Sequence, residues 1–268
     1  MNLLCHANGF PPSSYQELLD LLPFPIHTVE LAPLKRTFND VDQQKNWHHL
    51  GEEFISDVKR LRENQKADKM TAIGHSMGGV MILRAACFYP DWFERIVLID
   101  PTFLPEPFVW LSNYLPRFIN RKIHPVASKT FKRREHWQSK QEAFDSFRKK
   151  KFFSSFSDQG LWNYVNAVMI DSSDGGVRLG YSKAWEEHCF LSVINVWPLI
   201  KKCQVPIIGI TGKHSELMHP KIISRWKKLS PEAIIYTLEK SGHMLPFERP
   251  QECADLMIPY LSSNSPSI

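Results

Sequence analysis

The chain has 268 residues, of which 43% are hydrophobic and 23% are charged, and its formal net charge is +5. That length allows one large α/β domain or two small ones with a substantial core. The apolar runs end at roughly ten residues, well short of the ~18–20 that a transmembrane helix needs. Five scattered cysteines without a Cys-x-x-Cys pair exclude a disulfide framework and a zinc ribbon. Because we also find no signal peptide at residues 1–10, we expect a soluble cytoplasmic protein.

Short, continuous apolar runs rich in β-branched residues recur along the chain, as is typical of strands buried on both faces. They cover residues 2–5, 26–31, 69–73, 95–100, 206–211 and 233–238. Helical patterns lie between them: apolar residues follow helical spacing over 47–61, and residues 76–88 are apolar almost all round. This alternation predicts a mostly parallel sheet covered on both sides, with ligands bound where the strands end.

The alternation is interrupted once, by residues 104–203, which are dense in Trp, Phe, Lys and Arg. We interpret this stretch as a largely helical insertion into a core formed by residues 1–103 and 204–268. It lies at the carboxyl edge of the sheet, because the strand before it ends there. Residues 262–268 have the composition of a frayed tail.

Charge is concentrated in the insertion. Residues 117–151 contain twelve Lys or Arg and three acids, a balance of +9, whereas the remaining chain has 21 basic and 25 acidic residues. The run Lys149–Lys151 followed by two phenylalanines has the composition of a nucleic-acid patch. We favour a solvated helical face instead, and a positive rim that attracts anionic substrates is a third interpretation.

The segment Gly74-His75-Ser76-Met77-Gly78-Gly79 follows a predicted strand and precedes a predicted helix. A Gly-x-Ser-x-Gly pattern in that context predicts a strained turn that exposes Ser76 at a helix N-terminus. A serine nucleophile needs a base, and His243 follows the last predicted strand in the motif Ser241–Pro250. We therefore predict that Ser76 is the nucleophile and that His243 is its general base.

These motifs, together with His6-Ala7-Asn8-Gly9-Phe10-Pro11 after the first strand, resemble those of the α/β-hydrolase family with a cap domain, over nearly the whole chain. The resemblance implies that the backbone N–H groups of Phe10 and Met77 form the oxyanion hole, and His6 and Asn8 could line the same pocket. The chain lacks the hairpin that usually precedes the first of these strands. We therefore expect a sheet of about six strands, or a loss of residues upstream.

The acid of the triad departs from the family pattern. Its commonest place is a Gly-x-x-Asp turn, but here Gly212-Lys213-His214 is followed by Ser215. Asp100, at the end of the predicted strand 95–100, is our preferred acid, because certain lipases of this fold place theirs after that strand. The alternative acid is Glu216, which lies one residue after the usual acid position. Asp100 could also have a purely structural role, in which Asp100-Pro101 turns the chain into the cap.

The resemblance implies a serine hydrolase that cleaves an ester-type acyl bond through an acyl-enzyme on Ser76, with no metal or organic cofactor. Thioesterase, C–C bond hydrolase and acyltransferase activities stay open within the class. The displaced acid motivates an alternative, a small-molecule binding or sensor protein with weak catalysis. We expect a small acyl substrate. If that substrate is anionic, the positive charge of residues 117–151 would attract it. We expect no nucleic-acid partner. Cap aromatics could wall an acyl pocket, although we assign most to the core of the cap: Trp110, Tyr114, Phe118, Phe152, Phe153, Trp162, Tyr164 and Trp185.

Overall fold

Six parallel strands form the central sheet of the computed structural model, which describes residues 1–261 except for the side chains of Pro125 and Phe131. The predicted tail, residues 262–268, lies outside the described residues. The sheet order is β2-β1-β3-β4-β8-β9, and every neighbouring pair is parallel. Its strands are β1 Asn2–Cys5, β2 Ile26–Val29, β3 Met70–His75, β4 Phe93–Ile99, β8 Ile207–Gly212 and β9 Ile234–Leu238. The predicted α/β fold and its six strands are confirmed.

Alternate residues of each strand point to opposite faces of the sheet, as the pleat requires. In β4, Ile96 and Leu98 belong to one buried apolar cluster, whereas Val97 and Ile99 belong to the other. Helices cover both clusters, which explains why these strands are apolar without alternation. The helices outside the insertion are α1 Gln16–Leu19, α2 Ala32–Lys35, α3 Asp40–Gln43, α4 Trp47–Asn64, α5 Met77–Phe88, α13 Pro220–Leu229, α14 Leu245–Glu248 and α15 Pro250–Leu261.

Between β4 and β8 the chain is mainly helical but also contains a small antiparallel sheet in the order β5-β7-β6. The sequence analysis did not predict these strands, because runs of two or three residues are too short to show an alternation. The division of the chain at residues 104 and 203 stays a prediction. The last helix of the insertion, α12, contacts α5 and α13, which both lie outside the insertion. The elements are α6 Glu106–Tyr114, α7 Arg117–Ile123, α8 Pro125–Phe131, β5 His136–Trp137, α9 Lys140–Arg148, α10 Asp158–Val168, β6 Met169–Asp171, β7 Val177–Leu179, α11 Lys183–Leu191 and α12 Trp197–Lys202.

The cap aromatics are divided between its interior and its surface. Phe153, Tyr164 and Trp185 are buried, as expected for a cap core, and Trp162 is partly buried against Phe144. The other four aromatics are exposed, so assigning most of the set to the core was wrong: Trp110, Tyr114, Phe118 and Phe152. The first three lie on α6 and α7, whose opposite sides already face the protein.

All five cysteines are free, in agreement with the absence of a disulfide framework. Within residues 1–261, no helix is both long enough and apolar enough to cross a membrane.

The core of β4 provides a test of the fold. Leu98 is fully buried between the neighbouring strands β3 and β8, so Leu98→Ala should lower the free energy of unfolding by about 2–5 kcal/mol through lost burial and a residual cavity. Urea denaturation measures this change. Leu111→Ala on the exposed side of α6 is the matched control and should change stability by less than about 0.5 kcal/mol. Equal effects of the two substitutions would contradict the placement of β4.

Candidate active site

Ser76 occupies a strained turn between β3 and α5, with φ 55° and ψ −119°. A non-glycine residue adopts this conformation only where its surroundings enforce it. The two flanking glycines allow the close packing that enforces it. A Cβ atom on Gly78 would lie 2.2 Å from the Cys5 carbonyl oxygen, and one on Gly74 would lie 2.6 Å from the Gly78 carbonyl oxygen. The turn therefore has the geometry predicted for a nucleophile elbow.

Three side chains that are distant in sequence form a continuous hydrogen-bonded line. The Ser76 Oγ lies 2.9 Å from His243 Nε2, and His243 Nδ1 lies 2.6 Å from Asp100 Oδ2. Each side chain follows a strand of the central sheet, since Ser76 follows β3, Asp100 follows β4 and His243 follows β9. Parallel strands bring their carboxyl ends to one edge, which is why these positions meet.

Asp100 is completely buried and has a left-handed backbone conformation, with φ 39°. Its carboxylate accepts hydrogen bonds from the Gly212 N–H at 2.9 Å and from the Ser215 hydroxyl at 2.5 Å, besides its contact with His243. Ser215, which stands where the Gly-x-x-Asp pattern would place an acid, thus donates to the Asp100 carboxylate. Glu216 is exposed and makes no hydrogen bond or ion pair within residues 1–261, so the geometry brings together Asp100 and not Glu216 with His243.

Thr102 is a further residue at the site that the sequence analysis missed. Its Oγ1 lies 3.1 Å from the Ser76 Oγ, and its backbone N–H donates to the Ser76 carbonyl oxygen at 3.3 Å. The Ser76 hydroxyl therefore lies between a threonine hydroxyl and an imidazole. The sequence does show a threonine two residues after Asp100. That position alone does not place its hydroxyl beside Ser76, because the direction of the chain after Pro101 cannot be read from the sequence.

The two predicted oxyanion donors differ in their present hydrogen bonding. Met77 is the first residue of α5, and its backbone N–H has no hydrogen-bond acceptor within residues 1–261. The Phe10 N–H donates to the Ala7 carbonyl oxygen at 3.2 Å, across a turn in which Gly9 has φ 76°. Phe10 would have to share or release that bond to donate to an oxyanion. The oxyanion roles of both residues stay predictions.

His6 and Asn8, the two other residues considered for the pocket, have structural partners. His6 is fully buried, with Nδ1 2.8 Å from the Ala7 carbonyl oxygen, and its Nε2 accepts from the Leu31 N–H at 3.0 Å. The Asn8 amide donates to the Glu186 carbonyl oxygen at 3.1 Å, and its Oδ1 accepts from the Tyr181 hydroxyl. His6 therefore fixes the backbone beneath the turn, and Asn8 joins the turn to the cap.

The family model described as the alpha/beta hydrolase family matches residues 3–256, almost the whole chain. The chain belongs to the alpha/beta hydrolase family.

Known proteins similar to this α/β hydrolase are distant in sequence. The uncharacterized hydrolase YugF of Bacillus subtilis (strain 168) is 23% identical over 263 residues, covering 93% of this chain and 85% of YugF. The crystal structure of E-2-(acetamidomethylene)succinate hydrolase superposes with a TM-score of 0.76 at 15% identity, covering 96% of this chain and 89% of the other. The thioesterase domain from the curacin biosynthetic pathway gives a TM-score of 0.71 at 17% identity, covering 96% and 90%. These structural similarities show a shared fold.

A second set of buried polar groups is hydrogen-bonded to the backbone of His243 in this α/β hydrolase. The Ala7 N–H donates to the Tyr15 hydroxyl at 2.9 Å, and that hydroxyl lies 2.7 Å from His75 Nδ1. On its other side, His75 Nε2 lies 3.0 Å from the His243 carbonyl oxygen. Since a neutral imidazole has one donor and one acceptor, Tyr15 donates to Nδ1 and the Nε2–H donates to His243. This chain of bonds connects the turn before Phe10 to the loop that carries the base.

An ion pair in the segment between β4 and β8, formed by Arg133 and Glu186, lies beside the turn at Gly9. Arg133 Nη1 lies 2.6 Å from Glu186 Oε2, and a Cβ on Gly9 would lie 3.4 Å from the Glu186 carboxylate carbon. Burial raises the pKa of Glu186, against the opposing effect of Arg133. Lys150 is close enough for its charge to act on both partners. The Nε and Nη2 atoms of Arg133 are buried and have no hydrogen-bond acceptor within residues 1–261.

The buried histidines predict how stability depends on pH. Burial lowers the pKa of His75 to about 3 and that of His6 to about 4, so both are neutral in the folded protein. The unfolded chain protonates them below about pH 6.5. Their contribution to stability is therefore complete above that pH and is lost as the pH falls toward 4, at about 1.4 kcal/mol per pH unit for each histidine.

Urea denaturation between pH 7 and pH 4 measures this dependence. His6→Gln should reduce the slope of the free energy of unfolding against pH by about 1.4 kcal/mol per pH unit in the acid range, because one titrating group is removed. His136→Gln is the control, since His136 is exposed, and should leave the slope unchanged. The same slope for wild type and His6→Gln would contradict a buried neutral His6.

Proposed function

We propose that this α/β hydrolase is a serine esterase that forms an acyl-enzyme on Ser76. The observation that carries the proposal is the pair of contacts made by His243, 2.9 Å to the Ser76 hydroxyl and 2.6 Å to the Asp100 carboxylate. A serine, an imidazole and a carboxylate in that order are the groups needed to activate a hydroxyl for attack on a carbonyl.

Each side chain has a defined step in the proposed reaction. His243 Nε2 takes the proton of the Ser76 hydroxyl as the oxygen attacks the carbonyl carbon. Asp100 holds Nδ1–H and stabilises the imidazolium that forms. The Met77 N–H, at the start of α5, donates to the oxyanion, and Phe10 is the proposed second donor. The imidazolium then protonates the leaving alcohol, and His243 activates the water that hydrolyses the acyl-enzyme.

The geometry favours an enzyme over a binding or sensor protein. That alternative was motivated by the missing acid at position 215. Here the Ser215 hydroxyl and the Gly212 N–H hold the carboxylate of Asp100 in hydrogen-bond range of His243. Thioester or C–C bond cleavage and acyl transfer use the same acyl-enzyme machinery, so the identity of the acyl bond is the part of the proposal that needs substrate profiling.

Esterase assays with p-nitrophenyl esters of C2 to C12 acids test the proposal. Ser76→Ala should abolish turnover and the covalent acyl adduct seen by mass spectrometry. Asp100→Asn should lower kcat by about four orders of magnitude, because the imidazole loses its orientation and its charge partner. Glu216→Gln is the matched carboxylate control and should stay within about twofold of wild type, as expected for an exposed residue without partners. Turnover that persists in Ser76→Ala would refute the mechanism.

We also propose that an anionic acyl substrate is favoured. Arg133 and Lys150 provide two positive charges near the turn at Gly9, and Glu186 provides one negative charge. Tyr164, whose ring lies 4.7 Å from that of Phe10, is close enough to Arg133 for its charge to be felt. The two buried N–H groups of Arg133 that lack an acceptor are suited to a carboxylate of the substrate.

A pair of matched esters tests this preference: p-nitrophenyl hemiglutarate, which carries a carboxylate, and p-nitrophenyl valerate, which is neutral. Arg133→Gln should raise KM for the hemiglutarate roughly 10–100-fold, because a charged hydrogen bond is lost, and should change KM for the valerate by less than about threefold. Arg134→Gln is the control, because Arg134 pairs with Glu142 on the exposed side of the cap. Equal losses on both esters from Arg133→Gln would indicate a structural role instead.

A further inference from the structure

Three short helices of the cap carry large apolar side chains on their outer sides. Trp110 is 62% exposed, Tyr114 is 72% exposed and Phe118 is 64% exposed, and the rings of the first two lie 5.0 Å apart. Soluble proteins seldom expose several aromatic side chains within nine residues of chain without a function. We call this surface the cap face; its apolar members are Trp110, Leu111, Tyr114, Phe118, Ile123 and Val126.

The cap face is the outer side of helices that are already fixed on their inner sides. Val109 and Ser112 are buried opposite the exposed residues of α6, so this helix is amphipathic across its width. The Asn120 amide donates to the Ser112 carbonyl oxygen at 2.8 Å, which joins α7 to α6, and α8 packs on both α7 and α11. The inner sides of α6, α7 and α8 are therefore packed, and the exposed aromatics lie on the opposite, outer side of these helices.

The charges between residues 107 and 134 all have one sign, and Glu106 at the start of α6 is paired with Arg225. Residues 107–134 contain seven Lys or Arg and no Asp or Glu. Arg117 and Arg121 turn inward, where both pair with the buried carboxylate of Glu187 on α11. Three lysines stay at the surface, exposed and without an ion pair within residues 1–261: Lys122, Lys129 and Lys132.

We propose that the cap face binds the surface of an anionic phospholipid bilayer. Aromatic and aliphatic side chains on amphipathic helices enter the headgroup region, and neighbouring lysines are attracted to anionic lipids. The exposed aromatics lie on α6 and at the start of α7, and the exposed lysines follow them between residues 122 and 132. On α7, Phe118 and Lys122 are four residues apart and therefore lie on the same side of the helix. Trp and Tyr are the side chains that best suit a boundary between water and hydrocarbon.

A second copy of the chain fits this surface less well. In a two-fold interface the same patch lies on both sides, which would bring Lys122, Lys129 and Lys132 towards their own copies. The cap face supplies no carboxylate between residues 107 and 134 to compensate these charges. A bilayer of anionic lipids supplies negative charge and an apolar layer together.

Vesicle co-sedimentation with the full chain tests the proposal. Wild type should bind vesicles of phosphatidylcholine with 30% phosphatidylglycerol at least about tenfold more tightly than pure phosphatidylcholine, with affinity that falls as salt rises. Two triple variants should each weaken binding at least about tenfold. The first removes the aromatics through Trp110→Ser, Tyr114→Ser and Phe118→Ser. The second removes the positive charges through Lys122→Gln, Lys129→Gln and Lys132→Gln. Phe88→Ser, which removes a 55% exposed aromatic from α5, is the matched control and should bind as wild type does.

Two further measurements keep the outcomes distinct. The far-UV circular dichroism spectrum and the urea denaturation midpoint of every cap-face variant should match those of wild type, which reports that the variants are folded. Ser76→Ala should bind vesicles as wild type does, so that failure of the proposed esterase chemistry leaves this inference intact. Binding that is insensitive to the aromatic substitutions would overturn the proposal. A dimer in solution that these substitutions dissociate, without vesicle binding by wild type, would assign the cap face to self-association instead.

Discussion

The site depends on keeping one carboxylate buried at the end of β4. Asp100 has no exposed surface, and a buried carboxylate is stable only when hydrogen-bond donors surround it. Those donors come from the turn after β8, through Gly212 and Ser215, and from the loop after β9, through His243. The same bonds that satisfy the charge therefore hold three segments of the chain together. The position of His243 is therefore coupled to the hydrogen bonding of the Asp100 carboxylate.

The fold tolerates local strain at this edge because the surrounding bonds enforce it. Ser76 and Asp100 both have positive φ, which is costly for a residue with a side chain. Each is held by a backbone bond to the adjacent strand, Ser76 N–H to the Ile99 carbonyl oxygen at 3.0 Å and Asp100 N–H to the Ile210 carbonyl oxygen at 2.8 Å. Below them, the bonds through Tyr15 and His75 connect the first turn of the chain to the base. Two of the three non-glycine residues with positive φ within residues 1–261 thus lie where the proposed chemistry needs fixed distances.

The cap uses its charge in two ways. Arg117, Arg121 and Arg133 pair with the two consecutive acids Glu186 and Glu187, whose side chains are largely buried. Its lysines and several aromatics stay outside, so the outer surface combines positive charge with apolar area. The basic segment is consequently neither uniformly solvated nor a simple rim. Part of it is an internal ion-pair layer above the turn at Gly9, and part is an interaction surface.

The sequence by itself determined the fold, because the strands are continuous apolar runs and their order requires parallel pairing with helices on both faces. It also selected Ser76 and His243, since a Gly-x-Ser-x-Gly turn and a histidine after the last strand are local patterns. Only the tertiary structure decided that Asp100 and not Glu216 lies within reach of His243, because that contact spans 143 residues of chain. The positions of Thr102, of the His75–Tyr15 bonds and of the exposed aromatics were decided in the same way. Each depends on the direction in which a side chain points after a turn, and the residue types alone do not specify that direction.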